Sequence, residues 1–163
     1  MTSATNVAWS FFDLLNQRRI DEAMERLSDS GTWWNVGPRT EIPMTSFKVS
    51  GAEIMKLMPM HFICHNSIAD GDKVVLEIES QSPKPGGGEY NNRYCYVMEV
   101  RDERIQHVRE YPDTKYAAEM LPPEAWQHEI GSWKRHHSRY WVSETNKSEE
   151  KCATTNECER ADS

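Results

Sequence analysis

From Tyr90 to Val100 the chain alternates strictly. Tyr90, Asn92, Tyr94, Tyr96, Met98 and Val100 share one parity, and Asn91, Arg93, Cys95, Val97 and Glu99 take the other. A period of two with aromatic and β-branched enrichment predicts a strand in a half-buried sheet. Arg101 to Arg104 is a polar turn. Ile105 to Tyr111 returns as a second strand, closed by Pro112, which has no N–H to give a ladder. Asp113 or Thr114 then caps a short helix. The same alternation marks Lys73 to Ser82, where Val74, Leu76 and Ile78 oppose Val75, Glu77, Glu79 and Gln81. A strand is also predicted over His61 to Ala69, joined to the next by the turn Asp70-Gly71-Asp72. A short one is predicted over Thr32 to Val36.

Other stretches carry the helical period. Val7, Phe11, Leu14 and Leu15 fall on one stripe behind a Thr2 or Ser3 cap, with Ala8 and Phe12 widening it. A second short helix is predicted over Asp21 to Leu27. A third is predicted from Ser50-Gly51, with Ile54, Leu57 and Met58 inward and Pro59 at its end. Helices segregated from a run of strands mean α+β. The predicted architecture is a cone: a curved antiparallel sheet wrapped on N-terminal helices, with a C-terminal helical extension. Its open end is a natural place for a small molecule.

After Leu121 the pattern changes. Glu124 to Trp141 places Trp126, Ile130, Trp133, His137 and Trp141 at steps of three or four, which predicts an amphipathic helix, interrupted by Gly131. Lys134, Arg135, His136, His137 and Arg139 form a basic cluster within it. Ser143 to Ser163 has six acids, three bases and no aliphatic side chain larger than alanine; it is expected to be disordered. The domains expected are therefore 1–121, 122–142 and 143–163.

The 163 residues suit one domain with a tail, and the net charge of -7 argues against generic nucleic-acid binding. The first residues lack a basic segment before an apolar core, so no signal peptide is read there. No apolar run approaches the roughly 18 residues that span a bilayer. Cys64 and Cys95 fall in predicted strands and read as small buried hydrophobes. Cys152 and Cys158 fit no common zinc spacing, and without a secretory signal no disulfide framework is expected. The expected compartment is the reduced cytoplasm.

The two final strands carry a resemblance. A strand, a polar turn and then I-x-x-V-R-E-Y-x-D-T, from Ile105 to Thr114, resembles the last hairpin of the nuclear transport factor two-like superfamily. That group includes SnoaL-like polyketide cyclases, ketosteroid isomerase and limonene epoxide hydrolase. The resemblance spans roughly Asn6 to Leu121. It implies the cone fold, homodimerisation through the sheet face, a small-molecule substrate and acid–base chemistry without a cofactor.

Site residues follow position by position. The hydrolase strand ends in a similar W-R-D-Y-x-D pattern, whose first Asp activates water, so the resemblance puts Glu110 in the base position. A carboxylate working near neutral pH needs a desolvated pocket; the alternative for Glu110 is a surface pair with Arg93 or Arg109. Trp33 and Asn35 match an aromatic and an Asn that hold the hydrolase water, and otherwise pack on a strand and form a turn. The ketosteroid isomerase base falls in the same neighbourhood, where Asn35 cannot act as one. Glu77-x-Glu79 matches an Arg-x-Asp, which makes Glu79 the candidate proton donor but leaves the Arg missing; the same alternation also describes an exposed sheet face. His65 is a candidate proton shuttle, or a structural histidine. Tyr94 and Tyr96 can donate to a developing oxyanion or simply pack, and Met98 and Val108 join the substrate-facing set. His107 has the opposite parity to Glu110. No metal site is expected, since His61 and His65 have no partner cluster.

The expected function is a cofactor-free general acid–base isomerase, cyclase or dehydratase acting on a small apolar oxygenated metabolite of secondary metabolism. Epoxide-hydrolase-like water addition and a non-catalytic binding module are the alternatives.

Overall fold

Ser3 caps the first helix, its hydroxyl accepting from the Asn6 N–H. The computed structural model describes residues 3–84 and 87–121. Helix α1 (Ala4–Asn16) buries Val7, Ala8, Phe11, Phe12, Leu14 and Leu15, the stripe that helical spacing predicts. Arg18 takes a left-handed φ of 61° and turns the chain into α2 (Ile20–Glu25).

Strand β1 (Leu27–Asn35) begins five residues before the predicted Thr32, and a second strand, β2 (Thr40–Pro43), lies where the alternation predicts none. Pro43 sits at the N-cap of α3 (Met44–Leu57), so this helix starts six residues earlier than Ser50. Leu57, expected inward, is 76% exposed. β3 (His61–Asp70), β4 (Lys73–Pro83), β7 (Arg104–Pro112) and α4 (Thr114–Met120), capped by Asp113, follow the predicted order, but the single strand predicted from Tyr90 to Val100 is broken at Asn91-Asn92 into a two-residue β5 (Glu89–Tyr90) and β6 (Arg93–Arg101).

The strands form one curved, unclosed sheet in the order β2-β1-β7-β6-β4-β3, with β5 paired to β4. The architecture is the α+β cone, but the sheet is mixed. β1 runs parallel to β7, pairing Trp33 with Val108 and Asn35 with Glu110. Gly31 permits this approach: a Cβ there would lie 1.8 Å from the Gln106 carbonyl oxygen. At the far edge Asn16 clamps β3 to α1. Its amide donates to the Phe62 carbonyl at 2.9 Å and accepts from the Phe62 N–H at 2.7 Å.

Cross-strand register fixes which face is inside. Leu76 pairs with Tyr96, and Tyr96 with Glu110. The inward set is Val74, Leu76 and Ile78 of β4, Tyr94, Tyr96, Met98 and Val100 of β6, and Ile105 and Val108 of β7, all buried. Phe12 packs its ring on Phe62 at 5.2 Å and on Tyr96 at 5.0 Å, tying helix to sheet. Each such side chain contributes roughly 1.5–3 kcal/mol by leaving water. Cys64 is half-buried and packs against the core, but Cys95, expected to be buried, is exposed on the outer face. The expectations for 122–142 and 143–163 lie outside the described residues. No helix of the described residues is long and apolar enough to cross a membrane.

Candidate active site

Glu110 is the centre of the cone's polar chemistry. It lies on the inward face of β7, two residues past Val108, so the parity that packs β7 also turns Glu110 inward. Its carboxyl group is buried, while the residue as a whole is half-buried. The Trp33 indole N–H donates to Oε2 at 2.8 Å and the Tyr96 hydroxyl to Oε1 at 3.3 Å. The Asn35 side chain, at the position of β1 paired with Glu110, also favours the charged carboxylate. Asn35 is oriented for this by its own neighbour, since its Oδ1 accepts from the Gly37 N–H at 2.8 Å. With Oδ1 committed, the amide NH₂ is the end left to donate.

Two opposed influences set the acidity of Glu110. Burial is the larger and pushes the carboxyl above its ordinary range; the bonds from Trp33, Asn35 and Tyr96 pull it back. The result is a carboxyl raised by its surroundings yet supplied with donors for its charged form. An ionised carboxylate offers about four lone-pair sites, so acceptor capacity remains for a water or a substrate proton. Burial first, and then the neighbouring Glu110 charge, hold the Tyr96 phenol well above its usual range, which keeps it a proton donor.

The surroundings are aromatic. Trp33 stacks on Phe47 of α3, centroids 3.5 Å apart and planes 6° from parallel, and Tyr94 stacks on Tyr96 at 5.4 Å. A second polar cluster continues beyond Tyr94. The Ser80 hydroxyl lies 3.4 Å from the Tyr94 hydroxyl, and the Asn92 amide donates to the Tyr90 hydroxyl at 2.7 Å. Ser80 and Asn92 are buried, and neither stands out in the sequence as chemistry. For Ser80 parity was the available signal, because it shares the inward set of β4; Asn92 lies between β5 and β6, where strand parity gives none.

The structure brings together Glu110, Asn35, Trp33 and Tyr96, with Tyr94 one inward row away and Met98 and Val108 packed beneath. It separates Glu79 and His65 from them. On β4 the inward positions carry Val74, Leu76, Ile78 and Ser80, so Glu79 points to the outer face of the sheet. There its carboxylate meets His65 Nε2 at 3.0 Å and Arg93 at 3.4 Å. The His65 hydrogen bond, the largest effect on it, holds Glu79 below its ordinary range, the opposite of what a proton donor needs. His65 is exposed and shares that outer face. The proposed acid partners of Glu110 are thus corrected: one alternation cannot point both the apolar series and Glu79 into the cone. Among the described residues no group of three His, Cys, Asp or Glu is placed to hold a metal ion.

Residues 9–108 match the family model of the SnoaL-like domain. The chain belongs to the SnoaL-like family. No curated protein matches it in sequence. Among solved structures it resembles an epoxide hydrolase of M. tuberculosis described as limonene-epoxide-hydrolase-like, with 22% identity, a TM-score of 0.63, and coverage of 78% of this chain and 96% of that one. It also resembles a hypothetical protein of ketosteroid isomerase-like fold from Catenulispora acidiphila, in complex with trimethylamine, at 12% identity, TM-score 0.62, and coverage of 72% and 95%. A third is TerC co-crystallised with polyporic acid, at 14% identity, TM-score 0.62, and coverage of 72% and 96%. At these identities the likeness is one of fold. Relatives with this SnoaL-like fold include cyclases, isomerases and epoxide hydrolases.

Proposed function

We propose that this SnoaL-like protein is an acid–base enzyme in which Glu110 moves the proton. The observation that supports this most strongly is the convergence of Trp33, Asn35 and Tyr96 on one buried carboxylate. The arrangement does what proton abstraction requires. Burial raises the basicity of the carboxylate, and fixed donors keep its charged form accessible. In the resting site the single Tyr96 O–H proton is given to Glu110; as Glu110 takes a substrate proton, that hydroxyl is released to turn to the substrate oxygen that gains charge. The chain's own groups therefore supply base and donor, and the chemistry asks for no cofactor. The aromatic surroundings, Trp33, Phe47, Tyr94 and Tyr96, suit a small, flat, largely apolar molecule with a carbonyl or enol oxygen. Isomerisation, cyclisation and dehydration of such a compound, in secondary metabolism, all fit this pairing.

Water addition is the second reading. Trp33, Asn35 and Glu110 together could hold a water, as the matching trio does in limonene epoxide hydrolase. Opening an epoxide also needs a proton on the leaving oxygen. The inward β4 positions Leu76, Ile78 and Ser80 supply no acid for it, so the proton-transfer reading ranks first.

The test is turnover of a panel of enolisable polyketide-like ketones and terpenoid epoxides by the wild-type protein and by Glu110→Gln. The proposal expects conversion of an enolisable member that falls roughly 10²–10⁴-fold in the variant. Binding without turnover across the panel, or turnover that survives Glu110→Gln, would instead make the cone a binding module or place the chemistry elsewhere.

A further inference from the structure

The outer face of the sheet carries an apolar strip that the acid–base site does not use. Register lines it up. Trp34 pairs with Arg109, Arg109 with Val97, Val97 with Val75, and Val75 with Ile68, so one row crosses five strands from β1 to β3. The next outward row holds Tyr111, Cys95 and Glu77. Ile68 is 64% and Tyr111 36% exposed, and Cys95 is exposed as well. The Arg109 guanidinium lies over the Trp34 ring at 4.4 Å and donates to the Tyr111 hydroxyl at 3.1 Å, so this cation is tied into the strip. Polar residues border it: Thr32, His107, Glu99, Lys73 and Asp70 on one side, and Arg93 and Glu79 on the other. A recess of about 430 Å³ opens in it, lined by Ile68, Val75, Glu77, Cys95 and Tyr111 and reaching Pro112 and Asp113.

We propose that this strip is the docking surface for the chain's own stretch Glu124 to Trp141. Several observations select that occupant over others. The first is location. The chain leaves the sheet at Pro112 and Asp113, on the rim of the recess, and α4 adds only seven residues. At 1.5 Å per helical residue, Leu121 is held within about 12 Å of Asp113. The second is size. Five strands at about 4.8 Å spacing make a strip about 19 Å long. A helical stripe from Trp126 to Trp141 is about 22 Å long. The third is pattern. That stretch repeats Trp126, Ile130, Trp133 and Trp141 on the spacing of one helix face, and three of the chain's six tryptophans are in it. Aromatic rings of this kind suit a surface of Val, Ile, Tyr and a stacked Trp–Arg pair. The fourth is charge. Glu77 stands inside the strip without an ion pair among the described residues, with Asp70 at its border, and Lys134, next to Trp133, flanks the aromatic stripe of the stretch, while Arg135 and Arg139 fall on its opposite, solvent-facing side. The resemblance to the superfamily offers a different occupant, a second copy of the chain; the tail is the nearer one, and Lys134 brings a charge that suits Glu77.

Cys95 reports on the outcome because it sits in the strip. The full-length protein is treated with a maleimide, and labelling at Cys95 is followed by peptide mass analysis. The same is done for the full-length triple variant Trp126→Ser, Trp133→Ser, Trp141→Ser, with circular dichroism confirming that the cone remains folded. If the triple variant does not fold, Trp133→Ser alone takes its place. In parallel, a benzophenone maleimide on Cys95 is photolysed and the cross-linked peptide identified. Docking by the tail predicts slow Cys95 labelling in the wild type that accelerates at least tenfold in the variant. It further predicts rates independent of protein concentration and a cross-link into 124–141 of the same chain. Fast labelling of the wild type, or equally slow labelling of both proteins, overturns the proposal. So does protection that grows with protein concentration together with a cross-link to another copy, which would give the face to a dimer.

Discussion

Trp33 and Glu110 stand one inward row apart on neighbouring parallel strands, and the indole N–H bridges the step to donate to the carboxylate at 2.8 Å. This bond links β1 to β7 and favours the ionised form of the acid that β7 turns into the cone. Replacing Trp33 with Phe keeps a ring against Phe47 but removes the donor. The charged form of Glu110 then loses a hydrogen bond worth roughly 1.5–3 kcal/mol to an ionised group. Its pKa therefore moves further up. Since a base acts when deprotonated, the acidic limb of the kcat/KM profile shifts to higher pH. Tyr96→Phe shifts it in the same direction by less, because its bond is longer at 3.3 Å. A pH–rate profile of the three proteins checks both.

Stability should depend on pH through the same group. Glu110 is raised in the folded protein above its ordinary value of 4.5. Between those values the folded chain binds more protons than the unfolded one. Its contribution is thus fully present below the unfolded pKa and is lost as pH rises through the folded pKa. Glu79 is lowered and works in the opposite sense at lower pH, so the comparison must be a difference. Urea unfolding of wild type and Glu110→Gln across that window should show the wild type losing stability relative to the variant as pH rises, with the gap constant at higher pH.

Gly31 is the position where the site depends on bare backbone. Any side chain there would run into the Gln106 carbonyl, with Cβ 1.8 Å from the oxygen, and the oxygen belongs to a paired strand that cannot swing aside. Gly31→Ala should push β1 off β7, cost about 3 kcal/mol or more, and carry Trp33 and Asn35 away from Glu110. Equilibrium unfolding measures the first effect. Loss of turnover in whatever variant remains folded measures the second.

Glu79 and His65 supply the control. Both sit on the outer face, bonded to each other at 3.0 Å, and neither reaches the cone interior. Glu79→Gln should leave kcat and KM for any substrate of the Glu110 site within twofold of wild type, in a steady-state assay run beside Glu110→Gln.

Much of this was legible in the chain. Strict alternation over β4, β6 and β7 placed Val74, Leu76, Ile78, Tyr94, Tyr96, Met98 and Val108 on one face, and that face is the interior. The Trp33-x-Asn35 spacing read as a pair, and the structure sets both beside Glu110. The parallel approach of β1 to β7 was not legible, since it joins segments distant in sequence and rests on a backbone contact at Gly31. The start of α3 was missed because Pro43, not a hydroxyl or carboxylate side chain, holds its N-cap position. That hid Phe47, whose ring lies flat on Trp33. The assignment of Glu79 as an acid partner failed on a point the sequence contained. Once the apolar series of β4 faces inward, Glu77 and Glu79 must face outward, and the spacing match to an Arg-x-Asp pair was one residue out of phase with the sheet.

The most direct test of the account is the ionisation of Glu110 itself. Protein labelled with ¹³C at glutamate side-chain carboxyls, with Glu110→Gln used to assign the resonance, can be titrated by NMR without knowing the substrate. The account predicts a midpoint clearly above 4.5, moving higher still in Trp33→Phe. A midpoint at or below that value, unmoved by Trp33→Phe, would mean a solvated carboxylate with no share in the indole bond, and would contradict the role given to this site.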